Sequence, residues 1–127
     1  MVRRSFEALA AGDLDGLFEC FTEDCAFDGS RVAEGVYEGK ANYRSFLQGT
    51  LDTVRPRHEV RLDSGDEHVL AIGKLIGVGQ TSGAAIEMPV AYLYRLREGR
   101  IEHQTMFTDA DEARAAFREA TGEERPR

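Results

Sequence analysis

Three side chains near the ends of predicted strands could transfer protons. His103 and Asp109 stand near the end of the chain with the same strand parity, so both would project from one face of a sheet. Phe107 and Tyr92 would surround the carboxyl group of Asp109, raise its pKa by burial and make it a general acid. Asp28, at the end of the first predicted strand, is the third candidate. These residue types favour acid/base chemistry in an apolar pocket.

Each candidate also has a purely structural interpretation. Asp109 is followed by Glu112 in an Asp-x-x-Glu pattern, which is typical of a helix N-cap with a matching acid one turn later. His103 on a strand is more often a surface or hydrogen-bonded residue than a catalyst. Asp28 precedes a Gly-Ser pair and can form an Asx turn with it. Both interpretations stay open for all three residues.

The last two predicted strands would position two of these candidates. From Val90 to Leu96, outward and inward residues alternate with the two-residue period of a half-buried strand. Arg97–Arg100 is a polar turn in which Gly99 can adopt a positive φ. The chain returns as a partner strand over Ile101–Thr108, and Asp109 opens a helical pattern.

Helical spacing is clearest in the middle of the chain. Apolar residues recur at intervals of three and four from Tyr43 to Val54, which predicts a helix. Pro56 should end it, because the residue before a proline is pushed out of the helical region. Two shorter helices are expected before it. A terminal helix around Ala113 is expected to close at Gly122, with residues 123–127 frayed.

Alternating and β-branched segments predict the strands. They are Cys25–Asp28, His58–Leu62, His68–Gly79, Ala85–Leu96 and Ile101–Thr108. Glycines within His68–Gly79 indicate bends, bulges or the close approach of another strand. His58 and His68 begin their strands beside turns and are expected to be solvated. The order of elements predicts one α+β domain over residues 1–122, a cone in which helices pack on a strongly bent antiparallel sheet.

The composition excludes several classes of function. The chain has 127 residues and a formal net charge of −7, and no Lys/Arg cluster is interleaved with aromatics, so we expect no nucleic-acid partner. The longest uncharged run, Leu75–Ile86, is too short and too polar to span a membrane. No apolar segment follows the basic N-terminus, which favours a cytoplasmic protein. Cys20 and Cys25 form neither a CxxC pair nor a Cys/His cluster, so we expect reduced thiols, at least one of them in the core, and no metal site.

Several short motifs occur in an order that resembles a known superfamily. They are Phe6–Asp13, Phe21–Asp24, Tyr37–Lys40, Gly65–Val69, and Arg97–Ile101 followed by Phe107–Asp109. Together they resemble the NTF2-like superfamily and, within it, the SnoaL-like group of polyketide cyclases and their relatives. The resemblance implies a cone whose concave sheet face and helices enclose a pocket, and a homodimer formed through the outer sheet face. It implies no single activity, since the superfamily includes cyclases, isomerases, epoxide hydrolases and non-catalytic proteins.

The resemblance also implies which face of each strand lines the pocket, provided that the last strand has no bulge. The ligand-binding candidates in that register are Phe27, Tyr43, Leu75, Met88, Val90, Tyr92, Gln104, Met106 and Thr108. A bulge would instead turn His103, Thr105 and Phe107 inward and give the pocket an acid/base group.

Residues at the matching positions separate the chemistries of the superfamily. An epoxide hydrolase of this fold needs an Arg–Asp pair and a second Asp, and the matching positions hold Gly73, Leu75 and Met106. An isomerase needs a base near Gly29, and Asp28 stands one place early, which would turn it to the other face of the strand. A cyclase needs fewer catalytic side chains, because a pocket that folds a flexible substrate provides much of the rate enhancement by proximity.

The sequence therefore predicts a SnoaL-like protein that binds a small, mostly apolar molecule. It would act as a cyclase or isomerase by acid/base chemistry, without a metal or an organic cofactor. The alternative is a non-catalytic module for ligand binding or dimerisation.

Overall fold

The computed structural model describes residues 1–32, 34–79 and 83–124, with side chains as far as residue 122. The helices there are α1 Val2–Ala10, α2 Leu14–Glu19, α3 Lys40–Leu51 and α4 Ala110–Glu124. The strands are β1 Phe21–Asp28, β2 Val36–Glu38, β3 Val54–Ser64, β4 His68–Gly79, β5 Ala85–Arg97 and β6 Arg100–Phe107. A short 3₁₀ turn, Ser30–Val32, lies between β1 and β2.

The strands form one sheet in the order β2-β1-β6-β5-β4-β3. Strands β3 to β6 form the predicted antiparallel meander, whereas β1 lies parallel to β6. The sheet is therefore mixed and not antiparallel throughout. A long connection separates β1 from β6, and such a connection permits parallel pairing where a hairpin does not. The α+β class is the predicted one.

Several element boundaries differ from the prediction. Strand β1 begins at Phe21 and not at Cys25, and the short strand β2 is an additional strand that is not among those predicted. Helix α3 ends at Leu51, so Pro56 lies inside β3. Proline is tolerated there because β3 is an edge strand, where a missing N–H need not break the ladder. Helix α4 continues past Gly122 to its last described residue, and residues 125–127 of the expected frayed tail lie outside the described part of the chain.

The sheet has two covered faces. The inner face packs against α1, α2 and α3, and this cluster contains Phe18, Phe21, Tyr43, Tyr94 and Ile101. Helix α4 packs on the opposite, outer face. Its cluster there consists of Leu70, Ala91, Phe107 and Ala113, with Phe117 beside them. Helix α4 thus lies on the face opposite to the other three helices, and its small apolar stripe covers outward-facing residues of β4, β5 and β6.

Gly73 marks a close approach between β3 and β4. It pairs with Val60, and a methyl group at this position would collide with the carbonyl oxygen of Glu59 and lie 2.7 Å from Cα of Val60. Of the alternatives that the glycines of β4 left open, close approach is the one found here. The absence of a side chain lets the edge strand fold tightly over its neighbour.

Cys20 and Cys25 are both buried and both have free thiols, as predicted. Burial raises the pKa of each thiol above its ordinary value, so neither is activated as a nucleophile. No helix in the described part of the chain is long and apolar enough to cross a membrane.

Candidate functional site

A cavity of about 160 Å³ lies between the inner face of the sheet and helices α1 and α3. Its wall is mainly aromatic and aliphatic, and it includes Phe6, Phe27, Phe46, Leu47, Leu75 and Met106. The helical residues come from consecutive turns of α1 and α3, and the strand residues come from inward positions of β1, β4 and β6. An apolar wall of this kind favours a ligand that is itself mostly apolar.

A chain of hydrogen bonds crosses one side of the cavity wall. The hydroxyl of Tyr43, on α3, donates to Oε1 of Gln104 at 3.0 Å. The amide Nε2 of Gln104, on β6, donates to the hydroxyl oxygen of Tyr94 at 3.3 Å. All three residues are buried. Burial raises the pKa of both tyrosines well above the ordinary value, so both hydroxyls keep their protons at neutral pH.

A second polar pair lies on the other side. Nε2 of His58, on β3, lies 2.8 Å from the hydroxyl oxygen of Tyr92, on β5. The Phe6 ring packs on the imidazole, with ring centroids 4.7 Å apart. Burial lowers the pKa of His58 from 6.5 to about 4, so the imidazole is neutral at neutral pH. Nδ1 of His58 is buried and has no hydrogen-bond partner among the described residues.

The inward position of Gln104 depends on a bulge near the turn between β5 and β6. Leu96 pairs with Ile101, whereas Arg95 pairs with His103, so Glu102 is the additional residue. Ile101 and Gln104 therefore both face the inner side, although their sequence positions have opposite parity. The expectation that Gln104 faces inward only without a bulge, and that a bulge would turn His103 inward, is therefore wrong: in an unbroken strand His103 would share the face of Ile101, and the bulge turns His103 outward.

The structure places most of the predicted ligand-binding residues in the cavity wall. They are Phe27, Tyr43, Leu75, Tyr92, Gln104 and Met106. Val90 and Met88 instead pack in the hydrophobic core beside it. Val90 pairs with Gly73 of β4. Thr108 lies beyond the end of β6 and is exposed.

Asp109 is the N-cap of α4 and does not lie in the cavity. Its Oδ1 accepts the backbone N–H of Asp111 at 2.9 Å and that of Glu112 at 3.4 Å. Asp109 is exposed, so the expected burial against Phe107 and Tyr92 is wrong. Glu112 does not complete a capping box, because it forms an ion pair with Arg31 at 2.9 Å. Of the two interpretations of Asp109, the structure supports the cap.

His103 and Asp28 face the outer side of the sheet. Phe27 pairs with Gln104 while Asp28 pairs with Thr105, so Asp28 points away from the cavity, as its one-place offset indicated. Its Oδ1 accepts the N–H and the hydroxyl of Ser30, at 2.9 and 2.6 Å, and these bonds lower its pKa. Burial lowers the pKa of His103. Neither residue can act on a ligand in the cavity.

His58 is the functional candidate that the sequence argument missed. It was expected to be solvated, whereas the structure buries most of its imidazole in the cavity wall. The signal was present in the strand period: His58 shares the inward parity of Val60 and Leu62, which pack against the core.

The site offers hydrogen bonds but no obvious metal ligands. No group of three or more His, Cys, Asp or Glu side chains in the described residues could hold a metal ion. Leu75 and Met106 line the cavity at two of the positions where an epoxide hydrolase of this fold would carry charged groups. The arrangement can bind an uncharged ligand through neutral hydroxyl, amide and imidazole groups.

Comparison with models of protein families identifies the family of this chain. The model of the SnoaL-like domain matches residues 2–104, and the chain therefore belongs to the SnoaL-like family. No curated protein matches the chain.

Solved structures show the same architecture. A proposed polyketide cyclase from Xanthomonas campestris pv. campestris is 25% identical, with a TM-score of 0.76 over 87% of this chain and 89% of that one. TerC, co-crystallised with polyporic acid, is 16% identical, with a TM-score of 0.73 over 95% of both chains. SalBIII, an epoxide hydrolase/cyclase-like enzyme in pyran ring formation in salinomycin, is 21% identical, with a TM-score of 0.74 over 87% of this chain and 88% of that one. These similarities establish an NTF2-like, polyketide cyclase-like fold.

Proposed function

We propose that this SnoaL-like protein binds a small, mostly apolar molecule in the inner cavity, and that the molecule has a single ring. The observation that carries the proposal is an apolar cavity of about 160 Å³ into which buried hydrogen-bonding groups project. An engineered apolar cavity of about 150 Å³ in another protein accommodates benzene. A steroid or other polycyclic molecule would require the helices to move.

Acid/base catalysis is the second candidate function. The relatives include a proposed polyketide cyclase and a cyclase-like enzyme, which supports a cyclase or isomerase that needs no cofactor. His103, Asp109 and Asp28 lie outside the cavity, so His58 would have to serve as the base. Its imidazole is unprotonated at neutral pH, because burial lowers its pKa to about 4, and an unprotonated imidazole can accept a proton.

Methyl NMR of the methionines tests ligand binding directly. The chain has three methionines; Met106 lines the cavity, Met88 packs in the core, and Met1 is exposed. Toluene, acetophenone and a steroid would be titrated into protein labelled with ¹³C at the methionine methyl groups. We expect the one-ring probes to shift the Met106 signal and to leave Met1 unchanged. A Met106 signal that responds to none of the one-ring probes contradicts the proposal.

A blocked cavity provides the control. Leu75→Trp introduces a large indole side chain into the cavity wall. Ile86→Trp introduces the same side chain on the surface, at a residue that is 67% exposed. Binding of the one-ring probes should be lost in the first variant and kept in the second. Loss in both would show that the probes bind elsewhere.

We also propose a homodimer through the part of the outer face that α4 leaves open. Charges of both signs occur there: Nζ of Lys74 lies 3.3 Å from Glu87 and 3.8 Å from Glu59. A two-fold axis that passes through this group of charges can place a positive side chain of one protomer opposite a negative side chain of the other. Light scattering should give a dimer mass, and Lys74→Glu should give a monomer. The free buried thiols fit the reducing cytoplasm, which is the location we propose.

A further inference from the structure

Two tyrosine hydroxyls in the cavity have donor protons that no described residue accepts. The amide of Gln104 accepts from Tyr43 and donates to Tyr94. The amide oxygen accepts the hydroxyl proton of Tyr43, whereas the amide N–H is itself the donor to the oxygen of Tyr94. Only one of the two hydroxyl protons is therefore bound by the amide. Tyr94 therefore accepts a hydrogen bond and keeps its own proton for another acceptor.

The same argument applies to Tyr92 through the tautomer of His58. If Tyr92 donated to Nε2, the proton of the neutral imidazole would stand on Nδ1, which is buried and has no partner among the described residues. A buried N–H without an acceptor is rarer and more costly than a buried lone pair without a donor. We therefore assign the proton to Nε2, which donates to the Tyr92 oxygen at 2.8 Å. Tyr92 then also keeps its own proton.

Tyr92 and Tyr94 are placed so that both hydroxyls can donate hydrogen bonds to the same ligand. They occupy inward positions of the same strand, both line the cavity, and their ring centroids lie 6.0 Å apart. Each hydroxyl accepts from a fixed N–H, and such a bond strengthens the hydroxyl as a donor. The two hydroxyls thus form a donor pair that His58 and Gln104 orient.

The cavity also disfavours negative charge. No Lys or Arg lines it in the described part of the chain, and the charged residue that does line it there is Glu34. A carboxylate would have to lose its hydration without a cation beside it, which is unfavourable. A neutral acceptor avoids that cost.

We propose that the donor pair Tyr92–Tyr94 binds a carbonyl oxygen of a neutral, one-ring ligand, and that His58 is the residue that positions the Tyr92 hydroxyl. This inference rests on the proposed binding function and defines the substrate class of the same cavity. The ligand would be a cyclic or aryl ketone, or a similar compound with an acceptor oxygen and no acidic group.

Three probes of nearly equal shape test this selectivity. Acetophenone has the carbonyl oxygen, α-methylstyrene has a CH₂ group in its place, and benzoate has a carboxylate. We expect acetophenone to bind on the order of tenfold more tightly than α-methylstyrene, as one or two net hydrogen bonds provide, and benzoate to bind more weakly than both. Calorimetry gives the dissociation constants.

Variants then test whether the donor pair causes the preference for acetophenone over α-methylstyrene. Tyr92→Phe and Tyr94→Phe should each lower the acetophenone preference several-fold. Tyr37→Phe should keep it, because Tyr37 is not one of the described lining residues and its hydroxyl donates to the backbone oxygen of Glu34. His58→Leu should act like Tyr92→Phe, and His58→Gln, which retains an N–H donor, should restore part of the preference. The carbonyl stretch of bound acetophenone should move to lower frequency in the wild type and less so in the two tyrosine variants. ¹⁵N NMR should show the proton of His58 on Nε2.

The outcomes separate this inference from the proposed function. Equal binding of acetophenone and α-methylstyrene, or a proton on Nδ1 of His58, would overturn the donor pair while leaving the binding function intact. Tighter binding of benzoate would overturn the selection of neutral ligands. A Met106 signal that responds to none of the probes would overturn both proposals.

Discussion

Nε2 of His58 and the hydroxyl oxygen of Tyr92 lie 2.8 Å apart across the inner face of the sheet. Strand β4 separates their two strands, so the contact spans β4 and closes one side of the cavity. It joins an edge strand to a central strand and buries a titratable group in an otherwise apolar wall. We expect this contact to affect stability, its pH dependence and ligand selection.

The first prediction concerns pH. Unfolded His58 takes up a proton near pH 6.5, whereas the folded protein resists protonation until about pH 4. Between these values the unfolded state binds more protons, so the free energy of unfolding should fall as the pH is lowered, by up to about 3 kcal/mol. Urea unfolding at pH 7.5 and 4.5 measures the change. His103, whose pKa burial also lowers, contributes in the same direction.

The share of His58 is obtained from the difference between wild type and His58→Leu. The variant should be less dependent on pH over this range, because it has lost one of the groups that protonate on unfolding. If both proteins lose the same stability between the two pH values, His58 is not a buried neutral imidazole.

The second prediction contrasts two glycines. Gly73→Ala should destabilise the protein by about 2 kcal/mol or more, because the methyl group would collide with the Glu59 backbone of β3. Gly49→Ala, in the interior of α3 with no atom near the added methyl group, should stabilise it by about 0.5–1 kcal/mol. Thermal unfolding distinguishes the two signs. A tolerated Gly73→Ala would contradict the close approach of β3 and β4.

The third prediction concerns Asp109. Asp109→Ala should cost about 1 kcal/mol, the usual effect of losing a helix cap, while Asp109→Ser should retain most of the stability. Neither variant should change the affinity of the cavity for acetophenone, since the carboxylate caps α4 outside the cavity. Reduced affinity in both variants would restore Asp109 as a ligand-binding residue.

The fourth prediction concerns Gln104. Gln104→Met keeps the size of the side chain but leaves the buried hydroxyls of Tyr43 and Tyr94 without their amide partner. The expected loss of stability is about 1–3 kcal/mol. Adding Tyr43→Phe should recover part of it, because one of the unpaired groups is then removed. A double variant that is less stable by the sum of both single losses would show that the two residues do not interact.

Much of the architecture could be predicted from the sequence. The bounds of β4, His68–Gly79, were predicted residue for residue, as was the antiparallel meander, because strand and turn signals are local. The α3 helix was placed by its spacing, although its end was wrong: Pro56 was taken as a helix stop, and it proved to lie in an edge strand. The inward positions of Phe27, Tyr43 and Leu75 in the cavity wall also agree with their expected placement.

The tertiary structure alone decided which polar groups meet. The bulge at Glu102 turns Gln104 inward and His103 outward, and no residue next to Glu102 indicates it. The sequence allowed two interpretations of Asp109, and the hydrogen bond from a backbone amide of α4 to its carboxylate decides for the helix cap. The pairing of His58 with Tyr92 depends on how three strands align side by side. Periods of two and of three to four residues arise between neighbours in the chain, whereas contacts between polar side-chain ends depend on register and packing between distant segments.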